Sequence, residues 1–277
     1  MRVDVFHVGP QKTATTWAYH CLQEHPEIVV PSKDAIHYFD MNFPEGLAWF
    51  ENKYPKGRTG IHVETTPSYI RSNAALRRIK RYNKNAKIII CVRNPLERMV
   101  SHYWHEKKKG AINYEIEEVF ENYDLFNSWI ETSLYGDRVS DLFELFGKEN
   151  VLVQVYDDLK VNSSEFLKEM YKFIGVDDFN FEPPSARLKI NKATVKRGKG
   201  KSMLISILKR MSLLDLSIRL KNKVLGKGSK RTVDTSSIID GLTDDFKRKV
   251  YDVTRDDVRE LSDLLDRDMC KEWGYER

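Results

Sequence analysis

Val3-Asp4-Val5-Phe6-His7-Val8-Gly9-Pro10-Gln11-Lys12-Thr13-Ala14-Thr15-Thr16-Trp17 begins as a mostly apolar run, turns at Gly-Pro, and continues with helical character to residue 25, where Pro26 ends it. The order predicts a strand, a turn and a helix. Amide groups at a helix start lack intrahelical partners, the helix dipole is positive there, and a lysine sits inside the turn, so the turn is suited to an anion. Thr13, Thr15 and Thr16 add hydroxyl donors. Lys12 comes three residues after Gly9 and no Gly-Lys-Ser/Thr triplet closes the turn, so it is not a Walker A loop. Taken alone it reads equally well as an ordinary strand-to-helix connection with a surface lysine. The rest of the chain decides.

Ile28-Val29-Val30-Pro31 is short and extended, and Ser32-Lys33-Asp34-Ala35-Ile36-His37-Tyr38-Phe39-Asp40 then places titratable groups just after a strand, where ligands of α/β sheets bind. A helical piece is expected at 45–52. Gly60-Ile61-His62-Val63-Glu64-Thr65-Thr66-Pro67-Ser68-Tyr69 reads as a strand entering a loop, followed by a basic helix over 72–82. Lys87-Ile88-Ile89-Ile90-Cys91-Val92 is the most continuous β-branched run and is expected to be a central parallel strand. It ends at Arg93-Asn94-Pro95, where Asn94 suits an N-cap and Pro95 the first helical position, so a helix to about residue 109 starts directly after Arg93. Residues 114–146 read as helical with a break near Tyr135-Gly136, 150–156 as a strand, and 163–174 as a helix ended by Gly175. Strands alternating with helices predict an α/β fold with a parallel sheet. The last residues, 241–277, read as a charged helical tail with Val253, Val258, Leu261, Leu264 and Leu265 on its apolar face.

The chain of 277 residues is long enough to bury a sizeable core, and 41% hydrophobic content suits a soluble globular protein. No apolar run reaches the length that spans a bilayer and no signal-peptide pattern precedes the first strand, so residence in the cytoplasm is the expectation. Cys21, Cys91 and Cys270 are scattered without CxxC spacing and read as reduced thiols. The net charge of +5 is uneven: residues 187–232 hold 15 Lys or Arg against Asp215, about +14, and the remainder carries about −9. Such a window reads either as a mobile, solvated face or as an attractor of polyanions. Glycines 198, 200, 226 and 228 lie near its ends, flanking a helix expected over 203–220.

These residues resemble the family of sulfotransferases that use 3′-phosphoadenosine-5′-phosphosulfate (PAPS), in particular its carbohydrate-sulfotransferase-like and bacterial branches. The family's first strand leads into a Lys-containing, Gly/Thr-rich loop, as at Gly9 to Trp17, and a later strand ends in Arg-x-Pro with a serine eight residues after the arginine, as at Arg93-Asn94-Pro95 and Ser101. The resemblance implies one sulfotransferase domain over 1–277 with a P-loop-like three-layer fold, a central parallel sheet flanked by helices. It implies that Gln11, Lys12, Thr13, Ala14, Thr15, Thr16 and Trp17 hold the 5′-phosphosulfate. Arg93 and Ser101 would hold the 3′-phosphate, and the basic loop at 191–201, with Arg197, Lys199 and Lys201, would close over the cofactor. Arg93 is by itself a fork-shaped, permanently charged donor suited to phosphate, and Ser101 lies about two helical turns on.

The reaction implied is in-line transfer of a sulfuryl group from PAPS to an acceptor hydroxyl or, as the second choice, an amine, with Lys12 neutralising charge on the leaving phosphate oxygen. The expected acceptor is a saccharide or glycolipid, with a small alcohol as the alternative. His37 is the first candidate for the base, because imidazole titrates near neutrality and family members use His or Glu in this segment. Asp34 and Glu64 are the other candidates. Two departures bear on this: Ala35 stands where carbohydrate-type members place a Glu, and Thr65 where the family has a Lys. No metal is expected, since the strand before Arg93 ends without the acidic residue that organises Mg in P-loop enzymes. His102 and His105 are spaced i, i+3 with no evident third ligand and read as structural. The competing readings are an Mg-ATP-dependent P-loop kinase, and a basic module lying on an anionic membrane face through Met203-Leu204-Ile205-Ser206-Ile207-Leu208-Lys209-Arg210-Met211. Nucleic acid is not an expected partner.

Overall fold

The computed structural model describes residues 1–187 and 235–275. Arg197, Lys199, Lys201, the helix expected over 203–220 and, Arg187 apart, the basic window lie outside the described residues. In chain order the strands are β1 (Val5–Gly9), β2 (Ile28–Val29), β3 (Ile61–Thr65), β4 (Lys87–Val92) and β5 (Val151–Val155), forming one sheet in the order β2-β3-β1-β4-β5. Every neighbouring pair is parallel. The chain builds outward from β1 to β2 and β3 on one side, then crosses to β4 and β5 on the other. The strand order therefore reverses between β1 and β4, and the crevice beyond their carboxyl ends is where such sheets take ligands.

The helices are α1 (Thr15–Glu24), α2 (Leu47–Glu51), α3 (Asn73–Tyr82), α4 (Pro95–Lys109), α5 (Tyr123–Trp129), α6 (Gly136–Phe146), α7 (Tyr156–Val161), α8 (Ser163–Ile174), α9 (Thr235–Asp240), α10 (Asp244–Leu265) and α11 (Met269–Glu272). Successive residues of a strand face opposite sides, and β4 uses both. Ile88, Ile90 and Val92 pack with Leu76 and Ile79 of α3, Val139 and Leu142 of α6, and Val258 and Leu261 of α10. Ile89 and Cys91 face Cys21 and Leu22 of α1 and Phe166 and Met170 of α8. The continuous apolar run is thus the signature of a strand covered on both faces.

Beside the sheet, a further apolar cluster joins α4, α5 and α10 through Met99, Val100, Trp129, Phe246 and Val250. The α10 helix also caps α6: Asp257 accepts the amides of Tyr135 at 2.6 Å and Gly136 at 2.8 Å. Glycine is required at 136 because a Cβ there would stand 2.8 Å from the Asp257 carbonyl oxygen. The helical stretch 114–146 is divided into a 3-10 turn at Ile116–Phe120, α5, a second 3-10 turn at Glu131–Ser133 and α6, with the expected break falling at the start of α6. Tyr156 begins α7 instead of ending the strand. Val253 is 43% exposed, off the buried face that Phe246, Val250, Thr254, Val258 and Leu261 form.

Candidate active site

The phosphate turn leaves β1 through a tight backbone. Gly9 has φ of +113°, and a Cβ there would fall 2.0 Å from the Pro67 carbonyl oxygen, so glycine lets the strand end pack against the loop after β3. Thr13 donates to the Pro10 carbonyl at 2.8 Å, and Lys12 and Ala14 are both left-handed. Ala14, the N-cap of α1, has no side chain able to cap, and no acid stands in the first turn. The first intrahelical bond runs from the Ala18 amide to the Ala14 carbonyl, which leaves the amides of Thr15, Thr16 and Trp17 ahead of it at the positive end of the dipole. Trp17 itself turns its indole into the core against Phe166.

Two arginines from the β4–α4 corner hold the turn by its carbonyls. Arg93 donates to the Lys12 carbonyl at 3.1 Å and Arg98 to that of Gln11 at 3.5 Å. Arg98 is fully buried and also bonds the Ser133 hydroxyl and the Ser128 and Trp129 carbonyls, while His102 pairs with Glu106 at 3.4 Å. Asn94 caps α4 by accepting the Glu97 amide, and Pro95 is its first residue. Burial, together with repulsion from Lys109, Lys108 and Arg98, pushes the Lys12 ammonium down to about 7, and among the described residues Lys12 makes no ion pair. An isolated, repelled cation in a turn is stabilised by an anion. Gln11 Oε1 is buried there without a hydrogen-bond partner.

Next to the turn stand the candidate bases. Asp34 accepts from Thr16 of α1 at 3.3 Å and from Thr65 of β3 at 2.9 Å, and burial raises its pKa. His37 has φ of +56°, its amide donates to Thr66 Oγ1 at 3.2 Å, and its side chain is 32% exposed. Its Nδ1 lies 3.2 Å from Asp40 Oδ2 and 3.0 Å from Ser68 Oγ, while the Ser68 hydroxyl donates to Asp40 at 2.5 Å. The consistent arrangement has Nδ1 carrying the proton, which leaves Nε2 as the basic nitrogen. Burial alone would raise the Asp40 carboxyl, but bonds from His37, Ser68 and the Met41 amide outweigh it and hold it low.

Glu64 differs from both. It is fully buried on the face of β3 opposite Thr65, bonded by Thr66, with Oε2 unpartnered, and burial pushes its carboxyl up to about 8. A raised carboxyl favours the fold fully below its unfolded value of 4.5, and that contribution is lost as pH rises through 8. The slope is at most about 1.4 kcal/mol per pH unit. Glu64→Gln is therefore expected to match the parent near pH 4.5 and to be the more stable protein at pH 8.5, as melting across that range would show. An unchanged pH dependence would mean that Glu64 ionises freely in the fold.

The sequence motifs are thus linked by contact: the turn to Arg93 through the Lys12 carbonyl, α1 to Asp34 through Thr16, and the β3 loop to His37 through Thr66. Ser101 lies one turn beyond Glu97 on α4. Asp40 and Ser68, which fix the His37 ring, were not singled out as functional from sequence, although Asp40 stands three residues from His37. Ser68 is 31 positions away and gives no local signal. Arg98, which holds the Gln11 carbonyl, was likewise missed.

A family model described as "Sulfotransferase domain" matches residues 2–253. Among curated proteins, the membrane-associated sulfotransferase kil1 of Dictyostelium discoideum is 30% identical over 149 residues, 50% of this chain and 31% of that one. Mouse heparan sulfate glucosamine 3-O-sulfotransferase 3B1 is 27% identical over 176 residues, 61% of this chain and 45% of the relative. The chain spans less than half the length of these relatives. Among solved structures, a sulfotransferase from Alicyclobacillus acidocaldarius superposes with a TM-score of 0.72 at 18% identity over 99% of both chains, which shows the shared fold.

Proposed function

This chain belongs to the sulfotransferase domain family, and from that premise we propose that it transfers a sulfuryl group from PAPS to an acceptor hydroxyl by in-line displacement. The observation that carries the reading is Lys12, whose ammonium is repelled by neighbouring cations and makes no ion pair among the described residues, in a turn at the sheet's switch point that runs into an uncapped helix start and is held by the Arg93 guanidinium. That donor set fits a polyanionic nucleotide: the amides of residues 15–17 and Lys12 would hold the 5′-phosphosulfate, and Arg93 with Ser101 the 3′-phosphate. Bound there, PAPS supplies the sulfuryl group. Lys12 offsets the charge that develops on the leaving phosphate oxygen, and His37 Nε2 takes the acceptor proton while Asp40 balances the imidazolium. Asp34, with its oxygens on Thr16 and Thr65, ties α1 to β3, and Glu64 is a buried structural acid.

A saccharide hydroxyl is the proposed acceptor, supported by the relatives named heparan sulfate glucosamine 3-O-sulfotransferases. The proposed setting is a reducing cytoplasm, in keeping with three free thiols. The test is a melting titration with 3′-phosphoadenosine-5′-phosphate (PAP), run beside ATP with and without Mg. At a hundred times its dissociation constant PAP should add about 2.7 kcal/mol of stability, with the gain lost in Arg93→Ala. A shift with Mg-ATP alone would replace this reading with a kinase.

A further inference from the structure

The parallel register brings a second cation to Arg93 from a different element. Val92 of β4 pairs with Val155 of β5, so the residues that follow, Arg93 and Tyr156, leave the sheet side by side. The Arg93 guanidinium lies over the Tyr156 ring at 4.4 Å. One turn along α7, Lys160 Nζ lies 5.2 Å from the same ring. Asp157 holds Lys160 at 2.8 Å with one oxygen and accepts the Trp273 indole N–H at 3.0 Å with the other, so the lysine is aimed by an anchored carboxylate.

Both cations converge on one oxygen. Glu97 Oε2 accepts from Arg93 Nη2 at 2.9 Å, from Arg93 Nε at 3.1 Å and from Lys160 Nζ at 3.0 Å. Three N–H donors from two cations is the coordination a phosphate oxygen takes. Ser101 comes four residues after Glu97 and hence on the same face of α4, and its hydroxyl makes no hydrogen bond among the described residues. Arg93 and Lys160 thus converge on one anion position that Glu97 now fills, and Ser101 lies one turn further along the same face of α4.

We infer that Lys160 is a phosphate-binding residue of this site, acting with Arg93 and Ser101 on the nucleotide's 3′-phosphate, and that Glu97 is an internal anion competing with that phosphate for the same two cations. The inference rests on the sulfotransferase reading, which puts a 3′-phosphate at Arg93. A phosphate dianion prevails over Glu97 because it carries about twice the charge and three acceptor oxygens. Glu97 sets how strongly the site favours a dianion over weaker competitors. Its removal and the removal of Lys160 should act in opposite directions.

The experiment compares dissociation constants of PAP and of adenosine-5′-phosphate, which lacks the 3′-phosphate, by calorimetry. The parent should prefer PAP. Lys160→Met should weaken PAP by about tenfold or more while leaving adenosine-5′-phosphate unchanged. Lys160→Arg should restore most of the loss, and Glu97→Gln should tighten PAP severalfold. Lys160 is 44% exposed, so its variants should fold, which a melting curve checks. If the parent prefers PAP, Arg93→Ala abolishes that preference and Lys160→Met leaves it intact, the assignment of Lys160 is overturned while the sulfotransferase reading stands. If the parent itself binds both nucleotides equally, the 3′-phosphate site is overturned and this inference falls with it.

Discussion

Lys12→Ala is expected to lower kcat by about 10²- to 10³-fold, the cost of removing one preorganised donor from a developing oxyanion. The turn holds the Lys12 backbone at a positive φ with its carbonyl bonded by Arg93, and the ammonium lies within electrostatic reach of Arg98, Lys108 and Lys109 of α4. Burial and the positive charges of Lys109, Lys108 and Arg98 lower the ammonium to about 7, and an arriving polyanion reverses the imbalance. Nucleotide binding should therefore take up protons near neutrality, and PAP affinity should fall as pH rises above 7. Lys12→Arg, charged throughout, should bind PAP with little pH dependence between 7 and 9 while remaining slow, because its planar fork differs from a point charge. Near-normal turnover by Lys12→Ala would remove the lysine from the mechanism. A PAP affinity equally pH-dependent in Lys12→Arg would move the titration to another group.

How much of this could be read from the sequence follows from how local each signal is. The β4 run and the Asn94-Pro95 cap are written in consecutive residues, and the strand and helix form where those residues place them. The phosphate turn is equally local. Hidden features are those that depend on register or on distant partners. Glu64 alternates with Thr65 along β3, so one is sealed among buried side chains and the other bonds Asp34 beside α1. Before the register is known, the two positions look interchangeable. Lys160 reaches Arg93 only because β5 lies next to β4, and Ser68 reaches His37 only because the loop after β3 folds back across the switch point. Arg98 was passed over because a helical arginine is usually a surface residue. Its burial is made tolerable by carbonyls at the end of α5, where the helix dipole is negative.

His37→Ala is expected to lower kcat/KM by about 10²- to 10⁴-fold and to remove the acidic limb of the pH–rate profile. Three carboxylates and one imidazole compete for the role of base, and their surroundings separate them. Glu64 has no route to an acceptor because it is fully buried. Asp34 is engaged by two threonines that link α1 to β3, so its loss should displace the helix that frames the phosphate turn and weaken PAP binding along with turnover. Asp40 sits behind the His37 ring, and its hydrogen bonds keep it ionised as pH falls, which suits a group that balances an imidazolium. His37 alone combines a partly exposed ring, an oriented Nδ1 and a free basic nitrogen. Asp40→Asn should reduce turnover less than His37→Ala does, and should move the acidic limb to lower pH without abolishing it, because the imidazolium loses its counter-charge. Asp34→Asn should retain the limb and lose nucleotide affinity. If the limb instead survives in His37→Ala and vanishes in Asp34→Asn, the proton goes to Asp34. The left-handed backbone at His37 then serves only to seat Asp40 and the segment behind it.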